Sequence, residues 1–133
     1  LRRRNYKLLY KIFKKYSDCF VLPEATKNSN PSWFAFPLTI RDGSPFSRWD
    51  FVNFLEDAKI QTRQYFGGNI MLNPGYTHLI DSKKVIEDYP VSRKITTDTL
   101  FLGTSPVLEE EQLQYVELQV HKFNEKDLVS SIK

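Results

Sequence analysis

The first hydrophobic stripe of the chain has the period of an α-helix. Between about residues 2 and 17, apolar side chains recur at spacings of three and four, which places them on one helical face: Tyr6, Leu9, Tyr10, Phe13 and Tyr16. The other positions are mostly basic: Arg2, Arg3, Arg4, Lys7, Lys11, Lys14 and Lys15. We predict an N-terminal helix within residues 1–18, with its aromatic stripe packed on a sheet and its basic side in solvent. A basic amphipathic helix also suits a membrane surface or nucleic acid, so this alternative stays open.

Three later segments have the pattern of β-strands. In residues 33–40 the apolar side chains alternate at period two, which predicts that they share one face of a strand: Phe34, Phe36, Leu38 and Ile40. Pro37 cannot donate a ladder hydrogen bond, so it favours an edge position or a bulge. Residues 60–66 and 99–103 predict the second and third strands, and residues 20–22 a short extended piece.

Helical patterns separate these strands. Ser47 and Asp50 have the spacing of a capping box, which predicts the start of a helix that ends near Lys59. The inner stripe of this helix is Phe51, Phe54, Leu55 and Ala58. Residues 70–74 are expected to form one helical turn.

The last third of the chain predicts two more helices. Residues 82–88 are expected to form a short helix that stops at Tyr89-Pro90, and residues 91–97 a polar connection. The final helix is predicted for about residues 109–124, and the tail at 125–133 is expected to fray. Its inner stripe is Leu113, Val116, Val120 and Phe123.

This order of elements predicts an α+β fold, an α/β sandwich in which a small, mainly antiparallel sheet of about three strands is packed by helices. The length of 133 residues suits a single domain, and a hydrophobic content of 41% with 14% aromatics is enough for a real core. The first residue is Leu1 rather than Met, so we expect a piece of a longer protein.

Composition narrows the classes of function. The net charge of +3 does not by itself indicate nucleic acid. A single cysteine, Cys19, excludes an internal disulfide and a Cys-ligated metal site, and it is expected to be a small buried side chain. No apolar run approaches the length of a membrane span, and no signal peptide is visible. We therefore expect no metal, no membrane and no nucleic-acid partner.

The stretch Gln61–Tyr76 concentrates the candidate chemistry. Within it fall an arginine, an aromatic pair, two glycines, an asparagine and a turn: Arg63, Tyr65, Phe66, Gly67, Gly68, Asn69 and Asn73-Pro74-Gly75. An arginine offers a planar fork of donors to phosphate or carboxylate, aromatic rings can cover a ring, and glycines allow close backbone approach. The pattern favours a recognition loop. Plain turn chemistry for the glycines and a surface role for the arginine are the alternatives.

Three segments together resemble one enzyme family: residues 31–37 (PSWFAFP), residues 62–69 (TRQYFGGN), and residues 100–103 (LFLG) with the final helix. They are similar to the C-terminal small domain of the DegT/DnrJ/EryC1/StrS-type sugar aminotransferases and dehydratases, which are fold-type I pyridoxal phosphate enzymes. The likeness spans about residues 4–124. It is nearest to the RfbH-type 3-dehydratases of CDP-4-keto-6-deoxyglucose in lipopolysaccharide O-antigen biosynthesis. Residues 100–106 (LFLGTSP) depart from the aromatic pair and Gly-Val-Tyr-Pro often found in such enzymes.

The resemblance implies a mechanism for the full-length enzyme. In such dehydratases, pyridoxamine phosphate condenses with the 4-keto group of the sugar, a histidine removes a proton, and the C3 hydroxyl leaves. That histidine and the phosphate site belong to the large domain, and neither His78 nor His121 matches them. We therefore expect no catalytic residue in this chain, no activity of the chain alone, and no tightly bound pyridoxal phosphate.

The resemblance also implies a substrate surface. Arg63, Phe66, Gly67, Gly68 and Asn69 would face the cleft between domains, with Arg63 as the contact to the phosphates of a nucleotide sugar. The other cleft candidates are Trp33 and Phe34, for which core packing is the alternative. The implied partners are the nucleotide sugar, a second copy of the full-length enzyme, and a reductase as a further candidate. The implied location is cytoplasmic, in a bacterium.

Two other functions stay open from the sequence. The first is the small domain of a nucleotide-sugar aminotransferase, against which the Gly67-Gly68-Asn69 segment argues, because aminotransferases more often carry a proline- and histidine-containing variant there. The second is a stand-alone basic module that binds nucleic acid through the N-terminal helix. The second needs interleaved aromatics on the exposed basic face, whereas here they fall on the opposite stripe.

Overall fold

The computed structural model describes the backbone of residues 1–130 and the side chains of residues 1–125. Its centre is a four-stranded antiparallel sheet in the order β1-β2-β4-β3. The strands are β1 (Phe20–Val21), β2 (Ala35–Ile40), β3 (Thr62–Gln64) and β4 (Thr99–Gly103). The helices are α1 (Arg2–Lys14), α2 (Arg48–Asp57), α3 (Ser82–Asp88), α4 (Pro90–Asp98) and α5 (Glu110–Ser130), with a 3₁₀ turn at Ile70–Leu72. The predicted α+β class is confirmed.

One face of the sheet carries the hydrophobic core. Residues at alternate positions of β2 and β4 point into it, and α1, α2 and α5 cover them. The buried members are Leu9, Ile12, Phe13, Phe20, Phe36, Leu38, Ile40, Phe46, Phe51, Leu55, Leu100, Leu102, Leu113, Val120 and Phe123. The predicted inner stripes of the first, second and last helices thus contribute to one core.

The sheet differs from the prediction in its strand number and in the start of β2. The extended piece at residue 20 is a true strand, because Phe20 pairs with Ile40 and Val21 with Thr39, so the expectation of about three strands was one short. Phe34 was predicted to share a strand face with Phe36, Leu38 and Ile40, yet it precedes β2 and is 65% exposed. Its ring lies instead against Phe101, on the other face of the sheet.

The prediction for Pro37 is confirmed by the pairing. Pro37 lies opposite Phe101 of β4, while β1 reaches only Thr39 and Ile40 on the other side of β2. Within the described residues, Pro37 therefore lies on a local edge of the sheet. No neighbouring strand needs a hydrogen bond from its backbone nitrogen there, so proline is tolerated.

The helix boundaries follow local signals in most places. Ser47 and Asp50 form the predicted capping box, with both reciprocal hydrogen bonds present, and α2 ends at Asp57. The region expected to be a polar connection at 91–97 is helix α4, which begins with Pro90 at its first turn. The last helix passes the predicted end at Asn124 and continues to Ser130. The rest of the predicted frayed tail, residues 131–133, lies outside the described residues.

Phe13 is the aromatic centre of the core. Its side chain is fully buried, and its ring contacts those of Phe20 at 5.4 Å, Phe36 at 5.6 Å and Phe51 at 6.2 Å between centroids. These three rings belong to β1, β2 and α2. Phe13 therefore joins α1 to the sheet and to the neighbouring helix, as the helical stripe predicted.

Phe13→Ala should destabilise the fold strongly. Removing a buried phenylalanine leaves a cavity that the surrounding rings fill only in part, and the expected loss of unfolding free energy is about 3–5 kcal/mol. Urea denaturation followed by circular dichroism measures it. Lys14→Ala, on the exposed side of the same helix, is the control and should change stability by less than about 0.5 kcal/mol. A loss below about 1 kcal/mol for Phe13→Ala would mean that α1 is not part of the core.

Candidate functional site

A groove lies on the face of the sheet opposite the core. Its volume is about 780 Å³. The strands β3 and β4 form its floor, and the segments before β2 and after β4 form its walls. Its lining residues are Arg2, Phe34, Ala35, Gln61, Thr62, Arg63, Gln64, Phe66, Phe101, Gly103, Thr104 and Ser105.

The register of β3 and β4 explains which side chains reach this groove. Arg63 lies opposite Phe101, whereas the next residues along β4, Leu100 and Leu102, are buried in the core. Since successive side chains of a strand point to opposite faces, Arg63 and Phe101 share the face away from the core. The predicted site arginine therefore projects from a strand, and its position is set by the sheet.

A row of aromatic rings crosses the groove. The ring centroids of Phe34 and Phe101 are 6.1 Å apart, those of Phe101 and Phe66 are 5.8 Å apart, and those of Phe66 and Tyr65 are 5.1 Å apart. Two of these rings are open to solvent, since Phe34 is 65% and Phe66 is 67% exposed. Neighbouring rings are tilted by 63°, 42° and 71°, so the row offers an uneven apolar surface against which a sugar or base can pack.

The cations of the groove are Arg63 and Arg2. Within the described residues, the exposed Arg63 guanidinium makes no hydrogen bond and no ion pair, so its donors are open to a ligand. Arg2 is partly buried and donates from Nη1 to the carbonyl oxygen of Phe34 at 3.3 Å. Two guanidinium groups beside exposed rings suit an anion that carries a ring.

Glu56 fixes the start of β3 and so the position of Arg63. The Oε1 atom of Glu56 accepts from the backbone N–H of Thr62 at 2.6 Å and from its hydroxyl at 2.7 Å. These hydrogen bonds lower the pKa of Glu56, the backbone one most, and the nearby charge of Arg63 adds a smaller effect in the same direction.

The turn after β3 depends on two left-handed residues. Phe66 has φ of 53° and Gly68 has φ of 63°. Gly67 has ordinary φ and open space around it, so only one of the predicted pair needs to be glycine. A Cβ on Gly68 would lie 2.6 Å from Cγ2 of Thr96 in α4. Gly68 thus serves close packing against a helix.

Asn69 anchors the end of this turn. Its backbone N–H donates to Oγ1 of Thr96 at 2.8 Å, and its side-chain oxygen accepts from the N–H of Met71 at 3.1 Å, which caps the 3₁₀ turn. The carboxamide oxygen is therefore used within the loop.

The predicted site residues thus separate into three groups. Arg63, Phe66 and Phe34 come together in the groove. The turn residues Gly67, Gly68 and Asn69 follow Phe66 and do not line the groove. Trp33 lies apart, with its ring stacked on Tyr6 at 5.0 Å and an interplanar angle of 6°.

Sequence reasoning missed Arg2, Phe101 and Thr104. Arg2 was assigned to the solvated side of the first helix, and only the tertiary placement of α1 brings it to the groove. Alternation in β4 was the available signal for Phe101, because buried neighbours on both sides predict an outward ring. Thr104 is buried, and its hydroxyl contacts the carbonyl oxygens of Trp33 at 2.8 Å and Phe34 at 2.9 Å, which holds the segment before β2.

The described residues include no group of three or more His, Cys, Asp or Glu side chains that could hold a metal ion. His78 is exposed. His121 lies outside the groove, with Nδ1 3.1 Å from the hydroxyl of Tyr16 and Nε2 3.2 Å from Glu125. Cys19 is half-buried at the margin of the core. Among the helices described, none is long and apolar enough to cross a membrane.

The sequence matches the model of a known protein family. Residues 1–121 match the model of the DegT/DnrJ/EryC1/StrS aminotransferase family, and the chain belongs to that family.

Its relatives include two proteins of known name. The chain is 36% identical over 124 residues to the lipopolysaccharide biosynthesis protein RfbH of Salmonella typhimurium, in an alignment that covers 93% of this chain and 27% of RfbH. It is 36% identical over 123 residues to the dTDP-4-dehydro-2,6-dideoxy-D-glucose 3-dehydratase of Saccharopolyspora spinosa, covering 92% of this chain and 26% of that enzyme. The chain therefore spans about a quarter of the length of these relatives.

Solved structures show the same fold. The GDP-4-keto-6-deoxy-D-mannose-3-dehydratase of E. coli, with bound hydrated PLP, superposes with a TM-score of 0.69 at 20% identity, over 90% of this chain and 30% of that one. DesV of S. venezuelae gives a TM-score of 0.71 at 18% identity, over 92% of this chain and 31% of that one.

The groove does not fit pyridoxal phosphate as a covalent cofactor. Its lining contains no lysine amine and no histidine imidazole that could link to the cofactor or move a proton at its carbon. Its donor set, two guanidinium groups with glutamine and threonine side chains, suits a phosphate-bearing ligand that is held without covalent attachment.

Gly68→Ala should destabilise the chain, whereas Gly67→Ala should not. Alanine at position 68 would adopt left-handed φ and press on Thr96, so we expect a loss of about 1–3 kcal/mol in unfolding free energy. Gly67→Ala meets nothing within 4 Å and should stay within about 1 kcal/mol of the wild type. Urea denaturation of both variants measures the difference. Equal effects would mean that the turn does not pack on Thr96 as described.

Acid should weaken the anchoring of β3 through Glu56. Because the folded state lowers the pKa of Glu56, its contribution to stability is present above the unfolded pKa and is lost as the pH falls through the folded value. The unfolding free energy of the wild type should therefore fall below about pH 4.5, and in Glu56→Gln this fall should be smaller. Denaturant melts at several pH values test this, with Glu110→Gln as the exposed control. An unchanged pH profile would contradict the anchor.

Proposed function

We propose that this chain is the C-terminal domain of a nucleotide-sugar 3-dehydratase that acts in lipopolysaccharide O-antigen or deoxysugar biosynthesis. The observation that carries the proposal is the groove, in which a guanidinium without a protein partner among the described residues lies beside exposed aromatic rings. The 36% identity to RfbH supports a role in lipopolysaccharide biosynthesis, and the 36% identity to the dTDP-4-dehydro-2,6-dideoxy-D-glucose 3-dehydratase supports the substrate class. The proposed substrate of the whole enzyme is CDP-4-keto-6-deoxyglucose.

Arg63 is the proposed diphosphate contact. Its guanidinium projects from β3 onto the solvent side of the sheet, where it forms no ion pair with a described side chain and has the carboxylate of Glu56 as a nearby charge. A forked guanidinium can donate two parallel hydrogen bonds to a phosphate, and charge-assisted hydrogen bonds are about twice as strong as neutral ones. Arg2, at the other side of the groove, adds a second positive charge.

The aromatic row is the proposed support for the ring of the ligand. Phe101 forms the floor between Phe34 and Phe66, and these two rings stand about two-thirds exposed at its sides. A ligand lying there would cover apolar surface that water now contacts, which favours binding. The rings would also limit access of water to the bound sugar.

The chemistry of C3 deoxygenation is proposed to need the rest of the enzyme. Pyridoxamine or pyridoxal phosphate, when bound, supplies the electron sink for loss of the C3 hydroxyl. The groove of this chain supplies neither an acid nor a base, since its lining has no His, Lys, Asp or Glu. Its proposed part is to bind and orient the nucleotide sugar, so the chain alone is proposed to be inactive.

Assembly of the whole enzyme is a further part of the proposal. Exposed apolar side chains concentrate between residues 65 and 95: Tyr65, Phe66, Ile70, Tyr76, Leu79, Ile86, Tyr89, Val91 and Ile95. A surface of this kind suits contact with other protein. A homodimer of the full-length enzyme, a reductase partner and a cytoplasmic location complete the proposal.

A nucleotide-sugar aminotransferase is the second candidate. The description of the matched family names aminotransferases, which favours it. Both enzymes would use the groove to bind a nucleotide sugar. Incubation of the full-length enzyme with a 4-keto nucleotide sugar and glutamate separates them, because the aminotransferase yields an amino sugar and the dehydratase removes the C3 oxygen.

Arg63→Ala should weaken nucleotide-sugar binding more than it harms folding. Loss of a charge-assisted hydrogen bond costs about 1.5–3 kcal/mol, which raises the dissociation constant by roughly tenfold to a hundredfold. Arg63→Lys should recover only part of the affinity, because an ammonium cannot donate the parallel pair. Isothermal titration of the full-length enzyme with CDP-glucose measures the effect, and dTDP-glucose and GDP-mannose test the nucleotide.

The control variant for this experiment removes an arginine charge outside the groove. Arg93 is exposed on α4 and does not line the groove, so Arg93→Ala should leave the affinity within about twofold. Thermal melts of all variants accompany the titrations. A lowered melting temperature with unchanged affinity for Arg63→Ala would make Arg63 a structural residue and overturn the proposed role of the groove.

A further inference from the structure

Thr96 holds the turn that follows β3 from two directions. Its Oγ1 accepts the backbone N–H of Asn69 at 2.8 Å and donates to the carbonyl of Ser92 at 2.7 Å, so donor and acceptor are both in use. The methyl carbon of Thr96 also lies close to the backbone of Gly68. A Cβ atom added to Gly68 would be only 2.6 Å from it. Hydrogen bond and close packing together fix residues 68–69 against α4.

The end of α4 that carries Thr96 is itself fixed. The buried Arg48 of α2 donates from Nη1 to the carbonyl of Thr96 at 3.0 Å and to that of Thr99 at 3.2 Å. On the same helix, Lys94 pairs with Asp42 at 2.6 Å and with Asp98 at 3.0 Å. The end of α4 that carries Thr96 is therefore held by contacts with α2 and with the loop after β2.

The turn held by Thr96 carries one wall of the groove. Phe66 lies two residues before Gly68, and its ring contacts Phe101 at 5.8 Å between centroids. The backbone of Phe66 is left-handed, with φ of 53°, a conformation that costs a non-glycine residue about 1–2 kcal/mol. Such a conformation persists only where surrounding contacts hold it. The anchor of the following residues on Thr96 adds to the hydrogen bonds within the turn, from the N–H of Phe66 to the carbonyl of Gln64 at 2.8 Å and from the N–H of Gly68 to that of Tyr65 at 3.3 Å.

We infer that Thr96 is a positioning residue for the groove. By holding Gly68 and Asn69 on α4, it keeps the Phe66 ring at the edge of the groove in the place where it can lie against a bound nucleotide sugar. Thr96 does not line the groove, so it acts through Phe66. This inference rests on the proposed function, since the ligand whose affinity it sets is the one proposed for the groove.

The chain contains a matched control one residue away. The Thr97 hydroxyl is exposed and contacts only carbonyl oxygens of its own helix, Arg93 at 3.2 Å and Lys94 at 3.5 Å. Thr97→Val therefore makes the same chemical change in the same helix without touching the turn. Any effect that Thr96→Val shows beyond Thr97→Val comes from the contact with residues 68–69.

The experiment compares these variants in the full-length enzyme. Thr96→Val keeps the shape and the methyl group but leaves the Asn69 N–H without its acceptor. It should raise the dissociation constant for CDP-glucose about three- to tenfold and speed hydrogen exchange of the Asn69 amide by a similar factor, as loss of one neutral hydrogen bond predicts. Thr96→Ser keeps the hydroxyl and should bind within about twofold of the wild type, as should Thr97→Val.

Gly68→Ala disturbs the same contact from the side of the turn. It should also weaken CDP-glucose binding, and it replaces Thr96→Val as the test variant if Thr96→Val does not fold. Calorimetric titration, exchange at residues 66–69 and thermal melts are measured on every variant, so that loss of affinity is separated from loss of stability.

Several results would overturn the inference. Unchanged exchange at Asn69 in Thr96→Val would show that the anchor does not hold the turn. Faster exchange with unchanged affinity, in an enzyme where Arg63→Ala does weaken binding, would show that the turn does not position the groove, and the proposed function would stand. If the wild-type enzyme binds no nucleotide sugar, the proposed function fails and the positioning role fails with it.

Discussion

The pairing of β4 with its two neighbours is the constraint on which the rest of the structure depends. β2 and β3 lie on either side of it, and successive side chains of β4 point to opposite faces of the sheet. Leu100 and Leu102 complete the core under the helices, while Phe101 becomes the floor of the groove. A slip of one residue in this register would exchange the two sets, so core formation and site formation cannot be separated. The same register sets Arg63 opposite Phe101, and the position of the cation follows from burial of the leucines.

The short strand β3 lies at the edge of the sheet and pairs there with β4, and the loop and helices around it help to hold Arg63 and Phe66 in place. At its start, Glu56 of α2 holds Thr62 through two hydrogen bonds. After its end, α4 holds residues 68 and 69 through Thr96. Both supports lead back to α2, since Arg48 of that helix binds the carbonyls at the end of α4. One helix that is packed in the core thus braces both ends of the segment that carries the candidate site.

Much of the fold could be predicted because its signals are local. The capping box at Ser47 marks the start of α2, and the apolar run from Thr99 to Gly103 matches β4 at both ends. Helix α4 was missed because Pro90 was interpreted only as the end of the helix before it, although proline also suits the first turn of a helix and Val91 and Ile95 have helical spacing. β1 was missed because a strand of two residues exists only through its pairing with β2. Phe34 continues the alternation of β2 in the sequence, and only the tertiary structure shows that the strand begins after it.

The candidate site was predictable only in part. The stretch with Arg63 and Phe66 was identified from residue types that suit an anionic, ring-bearing ligand, and the family resemblance added Phe34, but the groove also needs Arg2 and Phe101, which come from two other segments. Their contacts span long separations, such as Arg2 to the carbonyl of Phe34 and Thr104 to the same carbonyl. No local pattern encodes such pairs. Other side chains form the hydrophobic core on the opposite face of the sheet, so burial of the core does not require the exposed rings of Phe34 and Phe66. Their exposure beside an arginine that makes no hydrogen bond or ion pair among the described residues therefore supports the proposal that the groove binds a ligand.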